Sequence, residues 1–583
     1  MPDLVLGPLL RHVGERTASV WVETADFCTV TVRAGEQSWS MRTFRVQDHH
    51  YALVQVDGLE PGSVQDYTVE IDGEQVWPLA DSPYPPSRIA TIERDKPTRL
   101  AFGSCRTSVP HDAEHTRTHG VDALRATAVH LANHPDSSHW PDMVAFLGDQ
   151  VYADETSEEM RAYIEQRRGL EDPPGEELKD FQEYAHLYWL AWTDPANRWL
   201  LSTLPSVMIF DDHDVRDDWN TSEAWHEEMN ATDWWHERLM GALMSYWVYQ
   251  HVGNLSPEAL AEDEVWQRVL AHQDAEVDHE LDLTQVLHDL SFEVDRHPER
   301  YRFSFAIDLG DARLLMIDSR AARELESGKR NMLDPSELEW LDENMRGDVE
   351  HLLIGTSLPF LLPPGIHDLE AWNEAMAEGA WGKRFGRLGE KLRQAVDLEH
   401  WAAFEHGFDQ MTDFTMSVAR GERGRPPATI TFLSGDVHNS YVTRIDDPEQ
   451  YGARSLIVQA VCSPIRNPLP RHVRVLQASL ARQLARPMRA LAASSEKVPD
   501  PPYPWSITDG PWFDNNLAVL QVDGPQLELT WHTGDISAGD PQEPELRTVA
   551  TVIIDRPGAS PGPDPTGLVG AADAPAGDGH DQR

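Results

Sequence analysis

The sequence predicts an α/β (α+β) protein with long helical insertions, preceded by an N-terminal β-sandwich of immunoglobulin or fibronectin type. Three observations lead to this prediction. Short alternating apolar runs fill residues 4–92, and longer buried-strand runs recur from residue 96 onwards. Stretches of helical composition lie between most of the later runs, which is the usual layout of an α/β protein.

The N-terminal region contains four short runs in which apolar and polar residues alternate. Turn residues separate the runs at a spacing of roughly ten residues, which is typical of β-sandwiches. The runs are 19–24, 28–35, 51–62 and 66–73. We therefore expect residues 1–95 to form an accessory or folding domain.

A second domain is expected over residues 96–555. It opens with the strand-like run 96–105, and five further apolar runs follow, each ending in a polar or small residue. These runs are 143–149, 207–212, 314–320, 352–359 and 430–438. Because loops at the carboxyl ends of strands converge in α/β proteins, the residues that end the runs are the candidates for chemistry.

Two long insertions separate the strand-like runs. Residues 155–202 and 221–292 are rich in Glu, Leu, Trp and Ala, so both are predicted to be helical. The aromatic segment 186–192 is expected to be core between helices. Residues 515–533 are expected to form a closing hairpin.

Two segments near the C-terminus differ from the rest in composition. Residues 472–497 form a predicted basic amphipathic helix, interrupted at Pro487, which we expect to pack on its own domain rather than on a membrane or over the site. Residues 556–583 are mostly Pro, Gly, Ala and Asp, so we expect a disordered tail.

The charge of the chain restricts its partners. It has 98 acidic and 49 basic side chains, giving a formal net charge of −49, yet 40% of its residues are hydrophobic, as in globular proteins. Non-specific binding to nucleic acid is not expected, because affinity for phosphate backbones comes from Lys and Arg. An enzyme of phosphate compounds built on this chain needs local positive charge, and bound metal is its most compact source.

The compartment is predicted from what the sequence lacks. The first residues show no basic leader followed by an apolar stretch, and there is no run of about 18 apolar residues that would span a membrane. Three cysteines are too few for a disulfide framework. We therefore expect a cytoplasmic protein without a transmembrane segment; its oligomeric state is not predicted.

The residues at the strand ends have the chemistry of metal ligands. One carboxylate, such as that of Asp149, can bridge two cations. The phenol of Tyr152 and the thiol of Cys105 suit a highly charged transition metal such as Fe³⁺, together with His438. Carboxylates such as those of Asp212 and Asp436 suit Ca²⁺, Mg²⁺ or Mn²⁺.

Five short motifs resemble those of the alkaline phosphatase D (PhoD-type) family. This family belongs to the calcineurin-like metallophosphoesterases and is related to purple acid phosphatases. The motifs are SCR at 104–106, GDQVY at 148–152, DDHDV at 211–215, DSR at 318–320 and GDVH at 435–438. The resemblance covers residues 97–555 and implies a metallophosphatase sandwich as the catalytic domain, with an N-terminal domain like the family's own.

The resemblance also implies roles for individual residues at the metals. Asp149 would bridge the two ions, and Tyr152 would ligate ferric iron, with Cys105 in the place of an iron-binding Asp. His438 matches the second His of a Gly-His-x-His motif, while Asp212, Asp436 and Ser357 stand where relatives have an Asn and two His residues. Oxygen ligands in place of nitrogen agree with Ca²⁺ as the second ion.

The expected reaction is hydrolysis of small or polymeric phosphate mono- or diesters by a metal-activated hydroxide. His213 would donate a proton to the leaving group, and Asp214 or Asp211 would orient it. Arg106 or Arg320 would clamp the phosphate oxygens, with a packing ion pair as the alternative for each.

Other functions remain open from the sequence. Among phosphodiesterases, the enzyme could be of a phospholipase or a nucleotide type. A glycosidase with two carboxylates would leave the Tyr, Cys and His ligand set unexplained. The remaining alternative is a non-catalytic metal-binding protein.

Overall fold

The structure is a computed structural model that describes residues 3–555 apart from 94–95, 276, 537–538 and the segment 471–499, in which only Arg474 and Val498 are described. The rest of the predicted helix 472–497 and the predicted tail 556–583 lie outside the described residues. The described residues form 23 strands (β1–β23) and 14 α-helices (α1–α14).

Two sheets make up the N-terminal region. Their strands are β1 (Leu4–Val13), β2 (Ala18–Thr24), β3 (Thr29–Ala34), β4 (Gln37–Arg42), β5 (Phe44–Val46), β6 (His49–Val56), β7 (Val64–Ile71), β8 (Glu74–Trp77) and β9 (Arg88–Ala90). One sheet has the order β1-β2-β6-β5, and the other has the order β4-β3-β7-β8 with β9 paired to β7. All four runs predicted here are strands; the immunoglobulin or fibronectin type stays a prediction.

A third sheet, of six strands, contains the first three runs of the second domain. Its strands are β10 (Thr98–Gly103), β11 (Met143–Leu147), β12 (Ser206–Ile209), β21 (Leu517–Asp523), β22 (Gln526–Asp535) and β23 (Glu545–Ile554). The order is β12-β11-β10-β21-β22-β23, with the first three parallel. The predicted hairpin is β21–β22, which pairs antiparallel.

A fourth sheet, of seven strands, contains the remaining predicted runs. Its strands are β14 (Phe305–Leu309), β15 (Ala312–Ile317), β16 (His351–Thr356), β17 (Thr429–Ser434), β18 (Ser440–Ile445), β19 (Leu456–Val461) and β20 (Trp505–Trp512), in the order β14-β15-β16-β17-β19-β18-β20. Strands β15, β16, β17 and β19 are parallel. Every residue of β16 and β17 is buried, as expected for parallel strands covered on both faces.

The helices lie between the strands, and the two predicted insertions are helical. The helices are α1 (Ala113–His119), α2 (Ala123–Asn133), α3 (Glu158–Arg167), α4 (Phe181–Trp192), α5 (Pro195–Thr203), α6 (Glu223–Asn230), α7 (Trp235–Ser245), α8 (Pro257–Glu262), α9 (Glu264–Asp274), α10 (Thr284–Arg296), α11 (Pro335–Asn344), α12 (Pro364–Ala377), α13 (Lys383–Ala395) and α14 (Glu405–Arg420). Among the described residues, no helix is long and apolar enough to cross a membrane.

The aromatic segment of α4 packs as the sequence predicts. The side chains of Leu187, Tyr188, Ala191 and Trp192 are buried in the core, whereas Trp189 is exposed. The helix begins at the carboxylate of Asp180, which accepts a hydrogen bond from the Glu183 backbone N–H.

The N-terminal sheets are joined to the second insertion by buried contacts. The guanidinium of Arg11 donates to the backbone oxygens of Tyr249 and Gln250, both at 2.7 Å, and to Asn254 Oδ1 at 3.0 Å. A short strand of the insertion, β13 (Leu281–Asp282), pairs with β5. Both regions contribute to one continuous apolar core, so the N-terminal sheets brace the insertion directly.

Candidate metal centre

Four carboxylates, three of them buried and that of Asp436 partly exposed, meet where strands of two sheets end. Asp149 follows β11, Asp211 and Asp212 follow β12, and Asp436 follows β17. One oxygen from each of the four lies within 4.8 Å of one oxygen from every other. The structure therefore brings together residues that are up to 287 positions apart in the chain.

The backbone at these strand ends adopts a conformation that non-glycine residues rarely occupy. Asp149 and Asp436 have φ angles of 52° and 62°, and Cys105 has 57°. Such left-handed residues cost free energy and cluster at functional sites. Gly148, with φ 101°, lies where the loops meet, and a Cβ there would stand 2.6 Å from the Cβ of Asp211.

Three oxygens of this cluster are buried without a hydrogen-bond partner. They are Asp149 Oδ1, Asp211 Oδ2 and Asp212 Oδ1, the last of which has an ion-pair contact with Arg320 at 3.2 Å. Burial raises the pKa of Asp149 well above its usual value and, although Arg320 opposes the shift, the pKa of Asp211 to about 8. A buried carboxylate without a partner is costly, and a bound cation removes that cost. The donor set therefore fits a metal ion.

A thiol and a phenol lie next to the same oxygen of Asp149. Cys105 Sγ is 3.3 Å and Tyr152 Oη is 3.4 Å from Asp149 Oδ2. Burial and neighbouring carboxylates raise the pKa of the Cys105 thiol and the Tyr152 phenol well above their usual values. Their deprotonation thus requires a strong local cation, as Fe³⁺ would provide.

His438 lies beyond Asp436 in the loop after β17. Its backbone N–H donates to Ser463 Oγ at 3.2 Å, and burial lowers the pKa of the imidazole to about 4. The ring is therefore neutral at pH 7, as a metal ligand must be. The described residues contain two groups whose potential ligand atoms lie within 4.8 Å of one another. One is the group of four carboxylates, and the other consists of Asp149, Asp212 and His213. Neither group includes His438 or Cys105.

The carboxylate that orients His213 is Asp154. His213 Nδ1 is 2.9 Å from Asp154 Oδ1 and 3.0 Å from Asp154 Oδ2. Burial opposes the charge, but Asp154 raises the pKa of His213 well above its usual value. The prediction that Asp214 or Asp211 orients this imidazole is wrong, because both of those carboxylates are bonded elsewhere.

Asp214 joins the two strand-end loops. Its Oδ2 accepts hydrogen bonds from the backbone N–H groups of Asp149 at 2.8 Å and Asp211 at 2.9 Å, and its Oδ1 accepts from Gln250 Nε2 at 3.2 Å and the N–H of Val151 at 3.4 Å. Burial raises its pKa to about 7 against these hydrogen bonds. Asp214 thus holds Asp149 and Asp211 in place.

Arg320 is buried within the site. Its guanidinium contacts both carboxylate oxygens of Glu399 at 2.6 Å, lies 3.2 Å from Asp212 Oδ1, and donates from Nε to Asp211. Its side chain is completely buried. Arg320 therefore forms a buried ion pair, which is the alternative to a phosphate clamp. The same contacts hold Asp211 in position.

Arg106 also lies in a buried ion pair. Its Nε and Nη2 atoms donate to Asp122 Oδ2 at 3.0 and 2.8 Å, and its Nη1 atom donates to the backbone oxygen of Ala191 at 2.9 Å. All three guanidinium nitrogens of Arg106 therefore have protein partners. This is again the packing ion pair, the alternative to a phosphate clamp. Ser357, which follows β16, contacts Ser319 Oγ at 2.8 Å.

Sequence reasoning missed His400, which contacts the site from a loop, and Glu370 of α12, which contacts His400. His400 Nε2 lies 3.0 Å from Asp436 Oδ2, and His400 Nδ1 lies 2.8 Å from Glu370 Oε1. Neither His400 nor Glu370 follows a strand, so no pattern marked them. The sequence did contain a signal that could have identified Asp154, since this residue lies two positions after Tyr152 in the loop that follows β11.

Comparison with known proteins gives matches over most of the chain. The family model described as PhoD-like phosphatase matches residues 128–498, and a model described as a domain of unknown function (DUF7800) matches residues 1–89. No curated protein sequence matches the chain.

Two solved structures resemble the fold. A structure of PhoD has 14% sequence identity and a TM-score of 0.57, with 94% of this chain and 90% of that chain covered. The purple acid phosphatase PPD1 from yellow lupin (Lupinus luteus) seeds has 12% identity and a TM-score of 0.48, with 94% and 74% covered.

The family match covers more than half of the 583 residues and includes the strand ends that carry Asp149, Asp211, Asp212 and Asp436. Metal-dependent hydrolysis of phosphate esters is the activity that this match and the buried carboxylates support together. The chain belongs to the PhoD-like phosphatase family.

Proposed function

We propose that this phosphoester hydrolase holds two metal ions between the strand ends, with Asp149 shared by both. The observation that carries the proposal is the set of three buried carboxylate oxygens without hydrogen-bond partners. Asp149 Oδ2 faces Cys105 and Tyr152, whereas Asp149 Oδ1 has no partner and is available to the second ion with Asp212 and Asp436.

The donor types support Fe³⁺ at the first position and Ca²⁺ at the second. A thiol, a phenol and the neutral imidazole of His438 suit ferric iron, and the carboxylates of Asp212 and Asp436 suit Ca²⁺, with Mg²⁺ or Mn²⁺ as alternatives. When bound, the ions would supply Lewis-acid activation of water and of the phosphoryl oxygens.

His213 is proposed to give the proton to the leaving oxygen of the ester. Asp154 fixes the Nδ1 side of the ring, so Nε2 is the atom left for the substrate. Proton donation from Nε2 would neutralise the negative charge that develops on the leaving oxygen when the P–O bond breaks. Asp214 and Arg320 act as positioning residues, because they contact Asp211 and its loop.

Two further features stay proposals on sequence grounds. The free, buried state of Cys28, Cys105 and Cys462 is compatible with the cytoplasmic location that the sequence predicts. The domain boundary at residue 95 follows from the change from short alternating runs to longer buried-strand runs. The boundary at residue 555 follows from the change in composition to mostly Pro, Gly, Ala and Asp.

The test compares metal content with hydrolysis of a soluble aryl phosphate monoester and diester. Asp149→Asn should lose metal and activity together, and His213→Gln should keep the metal but lose activity. Asp263→Asn is the control, since Asp263 is a largely buried carboxylate that accepts a hydrogen bond from the Trp266 N–H outside the site. Full metal content and full activity in Asp149→Asn would refute the proposal.

Metal removal gives an independent test. Dialysis against a chelator should abolish hydrolysis, and Fe³⁺ with Ca²⁺ should restore it. Thiolate or phenolate bound to Fe³⁺ gives a visible charge-transfer band, so the restored protein should be coloured. An active protein that contains no iron would refute the iron assignment while leaving the metal-dependent activity in place.

A further inference from the structure

Helix α13 differs in charge from the rest of the molecule. It has the sequence KRFGRLGEKLRQA, with five cationic side chains and one acidic side chain, in a chain of formal net charge −49. The helix lies between β16 and β17, in a hairpin with α12. A basic helix on an acidic protein is a local feature that a negatively charged partner would recognise.

The same helix and the residues that flank it expose large apolar side chains. Phe385 is 54% and Leu388 is 57% exposed, and Trp381 and Val396 are also exposed. These are four of the ten large apolar side chains that the described part of the chain exposes. Exposed apolar groups concentrated in one segment mark an interaction surface.

The apolar and cationic side chains occupy adjacent parts of one outward face. Phe385 and Leu388 follow the i, i+3 spacing of a helix face, and Trp381 lies just before the helix. Exposed cations lie beside them. We call this set the α13 face, and it comprises Trp381, Phe385 and Leu388 with Lys383, Arg384, Arg387 and Lys391.

The opposite side of α13 is fixed to α12. A Cβ added at Gly389 would stand 2.7 Å from the backbone N of Ala377, so the two helices approach closely through small residues. Asn373 Nδ2 donates to the backbone oxygen of Gly389 at 3.0 Å. The helix is therefore held with the α13 face directed outwards.

The chain runs from α13 straight into the metal centre. Val396 ends the helix, Glu399 pairs with Arg320, and His400 contacts Asp436. The α13 face thus lies on a segment whose next residues contact the carboxylate cluster.

We propose that the α13 face docks on an anionic lipid bilayer. An amphipathic helix with Phe and Leu beside Lys and Arg, and with a Trp just before it, has the composition that binds at a lipid surface. Each cation near such a surface strengthens binding by about fivefold. The acidic remainder of the molecule is repelled, so the charge distribution turns this face towards the lipid.

The observations favour lipid over a second copy of the chain. Two copies paired about a twofold axis through the α13 face would bring four cations against four cations. A bilayer offers both the apolar interior and the anionic headgroups that the face complements. Resting on the proposed function, docking would present the metal centre to phosphate esters at the lipid surface.

The experiment measures co-sedimentation of the metal-loaded, full-length protein with vesicles. One set contains phosphatidylglycerol and phosphatidylcholine, and the other contains phosphatidylcholine alone. Phe385→Ser/Leu388→Ser should abolish binding, and Arg384→Gln/Arg387→Gln should weaken it roughly 25-fold from two cations. The control is Leu79→Ser/Leu270→Ser, which removes two exposed leucines elsewhere.

The wild type and the control should bind the anionic vesicles, and all four proteins should hydrolyse a soluble aryl phosphate equally. No binding by the wild type, or equal binding by Phe385→Ser/Leu388→Ser, would overturn the proposal. A dimer in light scattering that this variant dissociates would assign the face to a second copy and would also overturn it. Binding needs no turnover, so an inactive protein that still binds vesicles would refute only the proposed function.

Discussion

Replacement of Asp214 separates a positioning role from a catalytic one. Its carboxylate accepts three buried backbone N–H groups, those of Asp149, Asp211 and Val151, in addition to Gln250 Nε2. Asp214→Ala leaves all three N–H groups without an acceptor. At about 1–3 kcal/mol for each buried unsatisfied donor, the loss in free energy of unfolding is about 3–9 kcal/mol.

Asp214→Asn keeps one oxygen in nearly the same place. That oxygen can still accept from the N–H groups of Asp149 and Asp211, which make the two shortest bonds, at 2.8 and 2.9 Å. The amide nitrogen faces the weaker Val151 contact and Gln250. Counting the backbone donors alone, as for Asp214→Ala, we therefore expect Asp214→Asn to cost only about 1–3 kcal/mol, because the Val151 N–H is the one left unpaired.

The assay is urea unfolding combined with metal analysis and hydrolysis of a soluble ester. The control is Asp334→Ala, since Asp334 is also buried and accepts the backbone N–H groups of Ser336 and Glu337 at the start of α11. It should lose about 1 kcal/mol of stability and no metal. In Asp214→Asn, stability, metal content and activity should fall together. A thousandfold loss of turnover with stability and metal intact would show that Asp214 acts on the substrate, and the positioning role would be refuted.

Three further predictions concern charge. Arg320→Met should lower the free energy of unfolding by about 3–5 kcal/mol, because the buried Glu399 loses its two 2.6 Å contacts and keeps Thr221 and the more distant Arg323. Adding Glu399→Gln should recover part of that loss in the same unfolding assay. His400→Ala should weaken binding of the second metal by about 10–100-fold, measured by titration, because it removes the hydrogen bond to Asp436. Burial, aided by nearby arginines, lowers the pKa of His251 to about 3, so the unfolded chain binds a proton more readily below pH 6.5. This one group should remove about 2 kcal/mol of stability between pH 7 and 5, and His251→Phe should reduce the slope of stability against pH by that amount; an unchanged slope contradicts the assignment.

The strands that lead to the site residues were predictable because each contains an apolar run. In β11 and β12 every side chain is buried, and the polar residues come only at the ends, so the pattern marks both the strand and Asp149 or Asp212. The convergence of these ends follows from parallel pairing of neighbouring strands. Sequence and structure agree here because one local pattern encodes both features.

The contacts made by loops were not predictable in the same way. His400 reaches Asp436 from an insertion, and its sequence surroundings resemble any helix end. Arg320 was noticed, but only the structure shows that Glu399 occupies its guanidinium. Such pairings depend on how an insertion folds back over the sheet, and a single sequence has no local signal for that.

The acidity of the chain and its phosphate chemistry are compatible through the arrangement of the site. Four carboxylates face one another there, and Arg320 is the cation that pairs with Asp211 and Asp212. Without metal this cluster would repel a phosphate ester. The proposed trivalent and divalent ions would offset most of that charge and offer coordination sites to the phosphate oxygens, so the same carboxylates that repel the substrate would fix the ions that attract it. Loss of metal should therefore weaken binding of inorganic phosphate as well as turnover, and equal phosphate affinity in the metal-free and metal-loaded proteins would contradict this account.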